Sequence, residues 1–422
     1  MKGNLNFILQ NKTINLKVEK LLFGKSLKAA IIGSLNLECM GGGEANTMMF
    51  ANLISKMNYD VVYFGSGCTK QSVKDLSPIS ENLFTYIPSA FKHDPAANST
   101  IIEKTRLLSV GLIGLFGFKR TFNMVKNFDL YYFANPSVLS RKLIPRLQKE
   151  GKMIIIANHG TFFEFLGNSN KKPLRLISKI ATNFLIVPIV KYGNYFIIHT
   201  QNSFQTAYYM KLGFPEHNII EIPQHNVNFR DYSINPKKDG FSVAFLGRLT
   251  ESKGIDLLIE VANMNPEMTF NILGTGQMLH YIVTMNKHKN IILHGFVSEE
   301  QKRKILASCD VMIVPSYFES LSIASIEGLA SGLTLVASQS AQGLKYIIDK
   351  SKLFGVLLPR DKKYFSNELN FLWKKKIDDY ENFIKKREEI RETAMNQFDE
   401  KKILQSLSKV VKCSERVISI KR

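Results

Sequence analysis

Val311-MIVPSYFESLSIASIEGLASGLTLVA-Ser338 is the stretch from which the fold is read. Val311-MIVP-Ser316 and Leu333-TLVA-Ser338 are short apolar runs of a length that suits buried strands. A helical stretch lies between them, and Glu319 and Glu327 are spaced E-x7-E across the end of the first run and the start of that helix. Strand, helix and strand imply a crossover and a parallel sheet. As a bare spacing the glutamate pair is common, and two carboxylates on a helix surface account for it. Its position directly after a strand sets it apart, because open α/β sheets bind ligands beyond the carboxyl ends of their strands.

The same grammar extends towards the N-terminus. Phe241-SVAFL-Gly247, Thr269-FNIL-Gly274 and Ile291-ILHG-Phe296 are further strand candidates, each closing near glycine. Before them, the polar stretch 224–240, QHNVNFRDYSINPKKDG, loses all periodicity and reads as a linker. Earlier still, Lys28-AAII-Gly33 leads into Gly41-GG-Glu44, a helical segment from Ala45 to Met57, and the strand Tyr59-DVVYF-Gly65. Leu130-YYFA-Asn135, Lys152-MIIIA-Asn158, Tyr195-FIIH-Thr200 and Asn218-IIEI-Pro223 continue the series, with helices expected over 137–149 and 203–212. Asp378 to Met395 reads as a charged helix and Asp399 to Val417 as an amphipathic one. Two doubly wound halves, 1–223 and 241–395, would thus face each other across a cleft, with 396–422 as a closing helix.

With 422 residues the chain exceeds one ordinary core and fits two domains. A hydrophobic fraction of 45% with 22% charged residues excludes disorder as the state of its bulk. The net charge of +20 favours anionic partners: nucleotides, nucleic acid or an anionic membrane surface. Cys39, Cys68, Cys309 and Cys413 lie far apart and form no CxxC pair, so they read as thiols of a reducing compartment. The first twenty residues break every apolar run with Lys or Asn, so no signal peptide is expected. Nor does any stretch reach the roughly 18 apolar residues of a spanning helix.

Gly247-Arg-Leu-Thr-Glu-Ser-Lys-Gly254 follows a strand and opens a helix. A helix N-terminus suits a diphosphate, and Arg248 and Lys253 would add two cations there. The same residues also read as a turn with solvated basic side chains. Gly274-Thr-Gly276 closes the next strand in the same manner, which turns also do for steric reasons alone. Eight residues put Glu327 about two helical turns beyond Glu319, on a similar face. One carboxylate can then reach sugar hydroxyls and the other a ribose diol, since both are strong double acceptors.

GRLTESKG, ILGTGQ, HGFVSEE and ASCDVMIVPSYFESLSIASIEGLASGLTLVAS, in this order, resemble the nucleotide-binding domain of the group 1 (family 4) glycosyltransferases. Gly41-GG-Glu44 resembles that family's N-terminal glycine-rich loop, which brings in Gly42 and Gly43, and 197–223 is similar to the end of its first domain. The resemblance implies a GT-B architecture and an NDP-sugar donor held by Gly247, Arg248, Lys253, Gly274, Gly276, Glu319, Ser320, Leu321, Ser322 and Glu327. It further implies that Arg248 and Lys253 stabilise the leaving diphosphate, that Glu319 and the backbone of Ser320 to Ser322 hold the sugar, and that Glu327 holds the ribose. His159, in Ala157-NHGTF-Phe163, matches the family's histidine near the transferred sugar. The chain departs from the pattern at Ser322, where the family usually shows glycine. It departs also at His225-Asn-Val-Asn228, where Asn226 is expected to take a left-handed turn in place of glycine.

No D-x-D occurs, so transfer is expected to need no metal and no cofactor. Retention of anomeric configuration is implied by the family alone. The acceptor is expected to be a glycan, lipid-linked or small-molecule hydroxyl, with water or phosphate as the alternative on the same scaffold. A non-catalytic polyanion or nucleic-acid binder is the reading from another class, yet no recognisable nucleic-acid-binding module is present, so no nucleic-acid partner is expected. The apolar run Val110-GLIGLFG-Phe118, flanked by Arg106, Lys119 and Arg120, reads as a contact with an anionic leaflet or as a core helix. Lys171, Lys172, Arg175 and Lys179 add basic charge to first-domain loops. A cytoplasmic protein, peripheral at the inner face of a membrane, is the expected setting.

Overall fold

Apolar runs of three to seven residues form the strands of two parallel sheets in the computed structural model, which describes residues 27–33, 42–57, 59–64, 122–123, 125–134, 138–157, 180 and 196–419. The chain enters through β1 (Leu27–Gly33), α1 (Gly42–Lys56), β2 (Tyr59–Phe64), β3 (Leu130–Ala134), α2 (Val138–Lys149), β4 (Met153–Ala157), β5 (Phe196–Thr200), α3 (Ser203–Lys211) and β6 (Ile219–Glu221). These strands pair in the order β2-β1-β3-β4-β5-β6, all parallel. Every residue of β3, β4 and β5 is buried. That explains why they read as continuous apolar runs instead of alternating ones. Successive residues still serve opposite faces: Leu130, Tyr132, Met153 and Ile155 pack with Phe50 and Ile54 of α1, while Tyr131, Phe133, Ile154 and Ile156 pack with Leu143 and Leu147 of α2.

The second sheet is built from β7 (Ser242–Leu246), α4 (Ile255–Met264), β8 (Thr269–Leu273), α5 (Leu279–Met285), β9 (Ile291–Gly295), α6 (Glu299–Ser308), β10 (Val311–Val314), α7 (Ile323–Ala330), β11 (Thr334–Ser338), α8 (Gln342–Ile348) and β12 (Gly355–Leu358). Its parallel order is β12-β11-β10-β7-β8-β9. The direction of chain progress therefore reverses between β7 and β10, whose Val243 and Val311 are in register. A reversal of this kind leaves a crevice beyond the strand ends. β12 has no counterpart in the sequence reading. At four half-exposed residues it is too short to show periodicity.

Three helices complete the chain: α9 (Lys362–Asp378), α10 (Tyr380–Gln397) and α11 (Glu400–Ser419). The charged helix expected from 378 starts at Tyr380, because Asp379 caps it by accepting the Asn382 N–H at 3.0 Å. α11 puts Ile403, Leu407, Val410 and Val411 into the core on the first sheet. The polar stretch 224–240 is not a solvated tether. Gln224 and His225 are fully buried, and Val227, Phe229 and Tyr232 belong to the second core. Asn226 does not take the expected left-handed backbone, since among the described residues only Lys289 and Ser322 do so without being glycine. The His225 Nδ1 accepts the Val227 N–H at 3.1 Å instead, which shapes the turn.

Among the described residues no helix is long and apolar enough to cross a membrane. Val110 to Phe118, Arg106, Lys119, Arg120, Lys171, Lys172, Arg175 and Lys179 lie outside those residues.

Candidate active site

Leaving β7 at the reversal of strand order, the chain turns through Gly247 to Gly254. This turn is fastened to that of the neighbouring strand: the Gly247 N–H donates to the Leu273 carbonyl at 3.0 Å and the Leu249 N–H to Thr275 at 2.8 Å. A Cβ at Gly274 would overlap the Gly247 carbonyl, so the two strand ends can meet only because position 274 has no side chain. Gly276 lies against the Leu249 backbone in the same way. Residues Glu251–Lys253 make one 3₁₀ turn, after which Gly254 starts α4 at φ 75°. There a Cβ would strike the Pro315 carbonyl, which belongs to the loop after β10. A bond from the Tyr317 N–H to the Ser252 carbonyl at 2.9 Å ties the same two loops.

The side chains of those loops converge. Lys253 Nζ lies 2.7 Å from Glu319 Oε1, and Ser316 Oγ donates to the same oxygen at 2.8 Å. The two charged side chains are 25% and 11% exposed, which leaves them shielded but reachable. Arg248 stands exposed on the same loop as Lys253. Behind the carboxylate, the Gly343 N–H donates to the Glu319 carbonyl at 3.0 Å. Leu321 is buried in the second core. Ser322 caps α7 with φ 63° and ψ 77°, and its hydroxyl bonds that of Ser325 at 2.7 Å. It thus adopts the left-handed backbone that glycine would take without cost.

Glu319 hangs from the loop and does not ride on α7. The expectation that Glu319 and Glu327 stand two helical turns apart on one face is therefore corrected, as only Glu327 is helical. Glu327 is buried, and its Oε1 accepts from Lys302 Nζ at 2.5 Å and from the Tyr232 hydroxyl at 3.2 Å. Burial raises its carboxyl above the usual range, and the Lys302 ammonium draws it back towards the ionised form. Burial likewise raises the Tyr232 hydroxyl, aided by Glu327, so tyrosine serves as a donor here. Lys302 also pairs with Glu299 at 2.7 Å.

Sequence reasoning missed Lys302, Tyr232 and Asn202. The first lies 25 positions before Glu327 on another helix, the second sits in the supposed linker, and the third belongs to the first sheet's side. No local spacing signals any of them. Gly42 and Gly43 begin α1, so the expected glycine loop is in part a helix start. His159 lies outside the described residues. Among the described residues no three His, Cys, Asp or Glu side chains gather as a metal site.

Residues 229–396 match the family Glycosyl transferases group 1. An uncharacterised glycosyltransferase of Methanocaldococcus jannaschii is 34% identical over 135 residues, which are 30% of this chain and 33% of that protein. The processive diacylglycerol alpha-glucosyltransferase of Acholeplasma laidlawii is 28% identical over 224 residues, or 49% of this chain and 66% of that enzyme. Alignments with the first curated relatives span 33%, 32% and 26% of their lengths, about a third or less. The crystal structure of Anabaena HepE in complex with UDP and glucose superposes with a TM-score of 0.64 at 13% identity, over 92% of this chain and 100% of that one. The paired six-stranded parallel sheets are those of a GT-B fold. The likeness to the group 1 glycosyltransferases is carried by residues 229–396.

Proposed function

We propose that the protein transfers a hexosyl group from an NDP-sugar to a glycan, lipid-linked or small-molecule acceptor, with retention and without a metal. The observation that carries this reading is the Lys253–Glu319 contact of 2.7 Å at the strand-order reversal. It brings to one point a cation suited to a diphosphate and a carboxylate suited to sugar hydroxyls. Arg248 and Lys253 neutralise the charge that grows on the leaving diphosphate, and the partial shielding of Lys253 makes its charge count for more. Glu319 and the backbone of Ser320 to Ser322 hold the sugar ring and Glu327 accepts from the ribose diol, while the role of His159 at the transferred sugar rests on the family resemblance alone. In this same-face displacement the leaving phosphate takes the proton of the acceptor hydroxyl as that oxygen bonds the anomeric carbon and the sugar–phosphate bond breaks.

The names of the relatives support the substrate classes: a diacylglycerol acceptor for the Acholeplasma enzyme, and UDP with glucose for HepE. The net charge of +20 supports a meeting with a lipid-linked acceptor at an anionic surface.

Sugar-labelled UDP-, GDP- and ADP-hexoses, each offered with lipid extract, oligosaccharides or water, test the proposal. Label should pass from one donor into an α-linked product, at the same rate with EDTA. Consumption of no donor would overturn the reading. Release of free sugar alone would make water the acceptor, and loss in EDTA with recovery in Mg²⁺ would make the enzyme metal-dependent.

A further inference from the structure

The two halves of the molecule touch directly behind the carboxylate loop. Asn202 follows β5 and caps α3, its Oδ1 accepting the Gln205 N–H at 2.9 Å from an extended backbone of φ −160° and ψ 167°. It is 1% exposed. The other end of the same amide, Nδ2, donates to the Ser320 carbonyl. Ser320 lies between Glu319 and the left-handed Ser322, so this bond reaches the segment that carries the candidate sugar contacts.

Neighbouring contacts fix that segment from the other side. The Gly343 N–H donates to the Glu319 carbonyl at 3.0 Å. A Cβ at 343 would come within 2.5 Å of the Ser320 carbonyl oxygen and 2.7 Å of that of Glu319, so the loop sits on α8 without slack. Phe204, two residues after Asn202, packs against the second core, with Lys345 Nζ 5.8 Å from its ring centroid. Glu221 of β6 faces Tyr346 of α8, and its carboxylate adds to the burial that raises the tyrosine hydroxyl. The first half is thus docked on α8, and Asn202 is where the docking reaches the loop backbone.

We propose that Asn202 is a positioning residue through which the docking of the two halves sets the backbone of Ser320 to Ser322. The loop then holds the transferred sugar only while the first half rests on α8. This builds on the reading of Glu319 to Ser322 as the sugar site. The amide suits both tasks, since it accepts at the cap with one atom and donates across the interface with another. Serine or aspartate can cap a helix equally well, but aspartate has no donor, and serine has only the one short hydroxyl that makes the cap, with no second polar atom to reach across the interface. Any opening at this edge breaks the bond and frees the restraint on a backbone conformation that serine disfavours.

Asn202→Ser keeps the cap and removes the amide that reaches Ser320, whereas Asn202→Ala removes both. Hydrogen exchange of the full chain, read by mass spectrometry, reports on the loop whether or not a donor has been found. Asn202→Ser should exchange about tenfold faster over 320–326, with 203–211 unchanged. Asn202→Ala should loosen both segments. In the transfer assay, kcat should fall about tenfold in both variants, while the affinity for the nucleoside diphosphate alone stays within about twofold, as Arg248 and Lys253 are untouched. Wild-type exchange over 320–326 in Asn202→Ser would overturn the proposal. So would wild-type kcat in that variant. Should the wild type consume no donor, the transfer reading fails by itself, and the exchange rates still decide the role of Asn202.

Discussion

The Glu319 carboxylate is gripped through one oxygen by Lys253 and Ser316 in a partly open loop, whereas Glu327 is buried against Lys302 and Tyr232. Removing the first charge leaves Lys253 with access to water, so Glu319→Gln should cost less than about 1 kcal/mol of stability. Turnover should nonetheless fall by about 100-fold or more, because the proposed function has this carboxylate hold the reacting sugar. Glu327→Gln leaves the Lys302 ammonium, which is only 11% exposed, with the exposed Glu299 as its remaining carboxylate, and should cost about 2 kcal/mol. Thermal melts beside kcat and KM for both variants check the contrast. Equal destabilisation, or full turnover in Glu319→Gln, would reverse the two roles. Ser322 adds a further residue-scale point: its φ of 63° explains why glycine is the usual occupant, and the bond to Ser325 supplies a compensation that glycine lacks.

At the level of elements, the site is made by the ends of β7, β8 and β10, pressed together at glycines. Gly254→Ala should be poorly tolerated, because φ is 75° and the new methyl would meet the Pro315 carbonyl, whose loop continues to Glu319. A loss of about 2–4 kcal/mol in urea unfolding is expected. A loss under about 0.5 kcal/mol would mean that the two loops are not held together there. The strands were legible because five-residue apolar runs closed by glycine or a polar residue have few alternatives in a parallel sheet. Their neighbours in the site were legible only as far as a motif is continuous in sequence. Arg248, Lys253 and Glu319 fall in such runs, but Lys302 and Tyr232 reach Glu327 from separate elements, and nothing local marks them. Helix geometry also misled, since E-x7-E looks like two turns of one helix until α7 is seen to start at Ile323. β12, at four residues, fell below what any periodicity can show.

On the scale of the whole molecule, the chain passes between its halves at 224–240 and again before α11, and the passages touch where the His225 and Phe398 rings lie 6.2 Å apart. His225 and His199 are both fully buried in apolar surroundings, and burial lowers each pKa to about 4. The Phe398 backbone and the Asp399 carboxylate face His225 and favour its charged form, but by less than burial disfavours it. Between about pH 4 and 6.5 the unfolded chain binds the proton that the folded chain refuses, so stability falls as pH drops through that window and is complete above it. Buried carboxyls with raised pKa, Glu327 and Asp310, act in the opposite sense. The clean readout is therefore a difference: from pH 7 to 5, His225→Asn should lose about 2 kcal/mol less than the wild type. An equal loss would place His225 outside the transition. The central claim, that the paired sheets hold a nucleoside diphosphate at the ends of β7 and β10, is tested most directly by calorimetric titration with UDP, GDP and ADP. One of the three should bind the wild type, weaken about 100-fold in Arg248→Ala/Lys253→Ala, and hold within about threefold in Glu319→Gln. Absence of binding to the wild type, or undiminished binding by the double variant, would contradict it.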